Sequence, residues 1–270
     1  MIAAFCGPPL QAARLYAAEP AALDPTTELT RKLQNPVSDL IALPIQENWD
    51  FGIGKVNAHR HTINIEPVIP FSLGTDLNLI TRTILPVIYL EPPLRRGVEP
   101  ESGLGDILQS FFFSPKRKIH GWIIGAGPVF LYPSSTNAVP LGSEKFGLGP
   151  TLAVLRQDEG LTYGILTDHI WSVAGNSDRK EYNATYVQPF VSYSTRTHTT
   201  FGLNTESTYD WEAKQWTAPL NASVSQILKI GKFPISIGLG GGYYLDSPAG
   251  GPDWKLRFTV TFLFPEKKAA

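Results

Sequence analysis

The sequence predicts an all-β protein: a transmembrane antiparallel up-and-down β-barrel of about 12 strands, with a short helical or plug segment ahead of it. Three observations carry that prediction. Beyond Trp49 the chain alternates apolar and less apolar residues with period two almost without pause. Only 17% of its 270 residues are charged although 43% are hydrophobic, whereas a soluble domain usually carries about 25% charged residues. Finally, the less apolar face holds mostly Gly, Ser, Thr and Asn with isolated charges, too few for a solvated exterior and suited to a confined interior.

The first 19 residues read as the remnant of a targeting segment. They are mildly apolar and end in Tyr16-Ala17-Ala18-Glu19, a small-residue run of the kind that signal peptidase cleaves, although a basic start is lacking and Pro8-Pro9 interrupts the apolar stretch. Cys6, the one cysteine, leaves with that segment, so neither a disulfide framework nor a Cys-based zinc site is expected. Residues 20–46 read as a cap or plug. Asp24-Pro25 followed by Thr26, Thr27 and Glu28 resembles a helix start, Leu29 and Leu33 recur at a spacing of four, and Pro36 stops the helix. The stretch 37–46 reads as a short helix or an extended segment. About 25 residues cannot bury a core of their own, which is why they are assigned to the barrel as an accessory.

The barrel is expected over residues 47–265, followed by a tail at 266–270. Candidate strands fall at 47–54, 62–73, 78–90, 104–114, 119–132, 145–156, 161–174, 183–196, 199–211, 215–230, 233–246 and 254–264. Turn-rich links such as Gly74-Thr75-Asp76 and Ala249-Gly250-Gly251-Pro252-Asp253 separate them. In the last strand Leu256, Phe258, Val260, Phe262 and Phe264 oppose Arg257, Thr259 and Thr261. An aromatic close to the carboxyl terminus is the usual ending of an outer-membrane barrel, read by the assembly machinery. Pro67, Pro70, Pro86, Pro128, Pro150, Pro189 and Pro219 fall inside these segments; each removes a ladder donor, so bulges or strand ends are the expected places for them. Gly127-Pro128-Val129-Phe130 and Gly149-Pro150-Thr151-Leu152 read as weak repetition of one strand unit.

With the apolar face toward lipid, the charges on the other face become lumen residues: Glu66, Arg82, Asp106, Asp168, Glu206, Asp210 and Arg257. Buried charges are costly unless paired, and Glu66 with Arg82 on the next strand is the expected pair. Trp122, Trp171, Trp211, Trp216 and Trp254 lie near segment ends, as do Tyr89, Tyr132 and Tyr163, which suits aromatic girdles at the two membrane interfaces.

Other chemistries leave weaker traces. A net charge of −1 gives no footprint for nucleic acid. Asp168 and His169 are neighbours on one strand and point to opposite faces, so they form no dyad; His169 shares a face with Tyr163, Ile165 and Trp171 and reads as interfacial packing. His59 and His61 read as a solvated loop without a third metal ligand, and His120 and His198 as strand starts with nothing attached. The glycine run Gly238 to Gly242 has no helix after it and so does not cradle phosphate; small residues there keep a lumen open or let the plug pack. No catalytic residue, metal site or cofactor is expected.

The runs Leu33-Gln34-Asn35-Pro36-Val37-Ser38-Asp39-Leu40-Ile41, Asn78-Leu79-Ile80-Thr81-Arg82-Thr83-Ile84-Leu85-Pro86-Val87, Gly103-Leu104-Gly105-Asp106-Ile107 and Asn204-Thr205-Glu206-Ser207-Thr208-Tyr209-Asp210-Trp211 resemble a bacterial family of outer-membrane barrels. Its members are labelled transporters, neuromedin-U-like proteins, or proteins of the phenol-degradation MetA-pathway type. The resemblance covers residues 30 to 265. It implies a barrel in the outer membrane of Gram-negative bacteria, in contact with outer-membrane lipid and the assembly machinery, and brings no catalytic residues with it. The function it points to is passive passage of small molecules, aromatic or hydrophobic solutes among them, into the periplasm. A lipid-modifying outer-membrane enzyme and a closed structural barrel are the alternatives.

Overall fold

The computed structural model describes residues 24–92, 97, 99–136, 141–231 and 233–265. The expected targeting segment 1–19, the start of the cap (20–23) and the tail 266–270 lie outside the described residues.

One helix opens the described chain. In α1 (Pro25–Leu33) the Asp24 carboxylate caps the amino terminus by accepting from the backbone N–H groups of Thr26 and Thr27, and proline occupies the first turn, where its missing N–H costs nothing. These hydrogen bonds, chiefly from the Thr27 backbone and hydroxyl, hold the Asp24 carboxyl below its ordinary range. Leu29 is buried against Leu40, Ala42, Ile227 and Leu263, with Leu33 packed beside them. The helix predicted from Asp24 is therefore present, and the leucines at spacing four form its docked face.

The elements that follow it are all strands. The strands are β1 (Ile41–Ile53), β2 (Ala58–Ile65), β3 (Val68–Leu73), β4 (Leu77–Leu90), β5 (Glu101–Leu104), β6 (Ile107–Pro115), β7 (Trp122–Tyr132), β8 (Lys145–Asp158), β9 (Leu161–Gly175), β10 (Asn183–Ser194), β11 (Thr199–Thr205), β12 (Ser207–Asp210), β13 (Gln215–Ile230), β14 (Phe233–Asp246) and β15 (Trp254–Phe264). Each pairs antiparallel with its neighbours, β15 returns to β1 and β9 joins β10, so the sheet closes. Three staves are each made of two segments, β2 with β3, β5 with β6 and β11 with β12, which gives a closed barrel of 12 strands. Closure leaves no free sheet edge. Residues 41–46, expected in the cap, belong to β1: the extended reading of 37–46 holds for its second half, because Ile41 to Ile45 pairs with β15.

The prolines explain the interrupted staves. The Glu66 N–H donates to the Pro44 carbonyl at 2.9 Å, but Pro44 has no N–H to return, and β2 parts from β3 at Glu66 and Pro67. Likewise the Gly105 N–H donates to the Pro86 carbonyl at 2.9 Å where β5 parts from β6. Pro189 lies beside the point where β11 parts from β12 at Glu206, and Pro219 sits at a register shift in the β13–β14 ladder. Pro128 and Pro150 differ from expectation. They lie within β7 and β8 rather than at ends, and they are direct cross-strand partners. Beside Pro150 the β8–β9 pairing skips from Leu148↔Trp171 to Thr151↔Asp168, and Gly149 sits so close to the His169 carbonyl that an added Cβ would lie 1.6 Å from that oxygen. The apparent repeat is thus two facing halves of one local distortion.

The outer wall is apolar. Ile63, Phe71, Leu152, Ile165, Phe201, Leu239, Leu256 and Phe262 are all exposed, Leu239 by 60%. The interior is divided, not uniformly polar as the small and hydroxyl residues suggested. Ile80, Phe112, Ala153, Leu155 and Leu166 form a dry cluster that takes in Val37 from the segment after α1, and Val129, Leu131 and Ile170 form a second one. Ionised and amide side chains occupy the opposite wall.

The two ends also differ. Short turns at 74–76, 116–121, 159–160 and 195–198 share one end with α1, the start of β1 and the end of β15. The connections that leave β4 and β7 and those at 176–182 and 247–253 lie at the other, the upper end.

Candidate functional site

A cavity of about 340 Å³ occupies the upper lumen, between the charged wall and the apolar one. Period two in β1 aims Gln46, Asn48 and Asp50 into it, and the same parity in β15 aims Lys255 and Arg257. Arg257 makes a bidentate pair with Glu206, Nη1 to Oε1 at 2.7 Å and Nη2 to Oε2 at 2.6 Å, and its Nε donates to Asn48 Oδ1 at 2.7 Å. The Lys255 ammonium adds a third contact to Glu206 at 3.0 Å. Two strands separate β12 from β15, so this cluster bridges over both β13 and β14. The missing side chain of Gly242 makes room for it: an added Cβ there would lie 3.2 Å from Lys255 Cε.

Two further pairs complete the charged wall. Arg82 donates to Glu66 at 2.9 Å, the pair anticipated from adjacent strands. Arg60 donates through Nε and Nη2 to one oxygen of Asp50, at 3.1 and 2.8 Å, while the Tyr244 hydroxyl donates to the other at 2.7 Å. Such forked, hydrogen-bonded pairs are the form in which buried charges are tolerated.

Below this cavity lie two more, of about 290 and 260 Å³, and all three share Glu66 as a lining residue. Lys255 and Arg257 border the first and second, Arg82 the first and third. Lys32, Asn35 and Ser38, on α1 and the segment after it, separate the third from a space of about 530 Å³ at the lower mouth. Charged pairs thus stand at the junctions between chambers, and α1 lies across the lower opening. It is fastened by Arg31 Nε to Gln157 Oε1 at 3.3 Å, by Gln157 Nε2 to the Arg31 carbonyl at 2.8 Å, and by His198 Nε2 near the Asp24 carboxylate at 3.5 Å.

By shape the chain is similar to the crystal structure of an outer-membrane channel from Pseudomonas putida F1, with a TM-score of 0.63 and 13% identity over 84% of this chain and 96% of that one. The fold is that of an outer-membrane β-barrel. The outer-membrane phospholipase A of Escherichia coli is also similar, with a TM-score of 0.47 and 10% identity over 89% of this chain and 97% of that one. No protein-family model and no curated protein matches the sequence.

Of the residues assigned to the lumen of the barrel from sequence, Glu66, Arg82, Asp168, Glu206 and Arg257 line the upper cavity. Asp106 and Asp210 do not. Asp106 accepts from the backbone of Ser135 and Ser143 and from the Ser143 hydroxyl, and so ties down the connection after β7. Asp210 accepts from the backbone N–H groups of Glu212 and Ala213, closing the turn at 211–214. A carboxylate at a strand end finds backbone donors before it finds the lumen, which parity alone does not reveal. Sequence reading missed Asp50, Arg60, Tyr244 and Lys255; the parity of Lys255 with Arg257 was the available signal for one of them.

The aromatic positions cluster unevenly around the barrel. Trp171, Trp211, Trp216 and Trp254 stand at the upper end, Trp254 stacked on Phe51 at 4.1 Å and Tyr209 between Trp211 and Trp216 at 4.8 and 5.0 Å. Trp122 alone of the five is at the lower end, edge-on to Tyr163. His59 and His61 are not in a loop: they lie on β2 among Phe51, Trp49 and Tyr89, and His59 Nε2 meets Glu91 at 3.0 Å. His169 packs on Trp171 at 4.0 Å, and its Nδ1 meets the Thr185 hydroxyl at 2.6 Å. Among the described residues no group of three metal-ligating side chains occurs.

Proposed function

We propose that this protein conducts small solutes through its lumen across a bacterial outer membrane. The observation that carries the reading is the row of adjoining cavities from the upper chamber to the lower mouth, lined by paired charges on one side and apolar residues on the other. Pore-lining side chains of this kind set polarity and size limits. The apolar outer wall fits a lipid surround, and short turns at the α1 end match the periplasmic side of such barrels. On that orientation α1 sits at the periplasmic mouth as a plug. The sequence runs that resemble the transporter-labelled family point to aromatic or hydrophobic solutes, and the apolar wall formed by Leu108, Ile170 and Tyr186 is compatible with them.

Purified protein in liposomes tests the proposal. Flux of small neutral solutes above that of empty vesicles, together with current steps in planar bilayers, is the expected result. Absence of both overturns it in favour of a closed structural barrel.

A further inference from the structure

The charges of the upper cavity are paired with one exception. Asp50, Arg60, Glu66, Arg82, Glu206, Lys255 and Arg257 each have an opposite charge within 3.0 Å. Asp168 has no ion pair and accepts no side-chain hydrogen bond among the described residues, although it is only 8% exposed and lines the cavity.

It stands on the apolar wall, within the field of Arg82, which lines the same cavity but is paired with Glu66. On β9 it stands between buried Leu166 and Ile170, which share its face. Its cross-strand partners are Thr151, whose hydroxyl is already spent on the Thr167 carbonyl, and Tyr186. A carboxylate placed among apolar side chains without a donor is costly, and a ligand that supplies the donor removes the cost. Tyr182 and Tyr186 line the same cavity, and aromatic rings attract a cation.

We infer that Asp168 is the anchoring group of a lumen subsite for a small organic cation, an ammonium on an apolar or aromatic body. The ammonium meets the free carboxylate, and the body lies against Ile170, Tyr182 and Tyr186. A volume of about 340 Å³ accommodates a ligand of that size. An organic anion finds no equivalent anchor, because every cation lining this cavity is engaged by a carboxylate. As a statement about which solutes the lumen favours, the inference rests on the passage reading; the binding itself is separable from passage.

The test is calorimetric binding of benzylammonium, benzyl alcohol and benzoate to the detergent-solubilised full chain, beside Asp168→Asn and Asp168→Glu variants. Benzylammonium is expected to bind about tenfold tighter than benzyl alcohol, the scale of one charge-assisted hydrogen bond. That preference disappears in Asp168→Asn and persists in Asp168→Glu. Equal binding of amine and alcohol by the wild-type chain overturns the inference whether or not either variant folds, and so does an amine preference that survives Asp168→Asn. Liposome flux is scored separately: binding without flux sinks passage and leaves the subsite standing, while flux without amine preference does the reverse.

Discussion

Glu206 is the residue on which the lumen's charge balance turns, because it alone neutralises both Arg257 and Lys255. Replacing it with glutamine leaves two cations facing one amide, so on the proposed conducting role selectivity is expected to shift toward anions. The Glu206→Gln variant should change the chloride-to-potassium permeability ratio by roughly severalfold; reversal potentials under a KCl gradient measure it, and an unchanged ratio contradicts the placement of this cluster on the solute path. The neighbouring pair behaves differently in terms of legibility. Glu66 and Arg82 lie on adjacent staves with Val68 opposite Arg82, so parity and proximity were both readable in the sequence. Glu206 and Arg257 have two strands between them, and their contact exists because the wall curves and β14 is built of glycine where they pass.

At the scale of the element, α1 decides how much of the lower mouth is open. Nine residues are too few to form a stable helix alone, so α1 depends on its docked face. Leu29→Ala removes a buried anchor at about 2 kcal/mol, the low end of such truncations, and single-channel current should rise relative to the wild-type chain. A current unchanged by Leu29→Ala means that α1 does not restrict the path. The Asp24 cap adds a pH dependence to the same element. Its carboxyl lies below the ordinary aspartate value of 3.8, held there by the Thr27 backbone and hydroxyl. A lowered carboxylate value means the contribution is complete above the ordinary value and is lost as pH falls through the lowered one. Current should therefore stay level from neutral pH down to about 4 and increase only in stronger acid, and Asp24→Ala should abolish that dependence. Current that already rises near pH 6 would trace the effect to another group.

Over the whole molecule the decisive property is that the barrel is apolar outside and charged within. Leu239, on the outer face midway along β14, gives a direct measure of it. Leu239→Arg is expected to cost about 2–4 kcal/mol in a lipid bilayer if that position faces the hydrocarbon midplane, while Leu239→Ile stays under about 1.5 kcal/mol; reversible unfolding in lipid vesicles reads both. Similar stabilities for the two variants would remove lipid from the outer face.

Period-two patterning determined most of the strand positions and the parity of side chains along them, because alternation in a strand is local geometry, while the Asp24 cap and the leucines at spacing four determined the helix. The dry patch of Ile80, Phe112 and Leu155 was hidden by that same pattern: apolar residues on the inner parity gain a common interior only when β4, β6 and β8 curve around Val37. Likewise the bridge from Arg257 to Glu206 and the solitary state of Asp168 belong to the curved wall, whereas the facing of Pro128 and Pro150 is a matter of register between consecutive strands. Contacts across a lumen depend on shear, curvature and the space left by small residues, and no window of sequence contains those quantities.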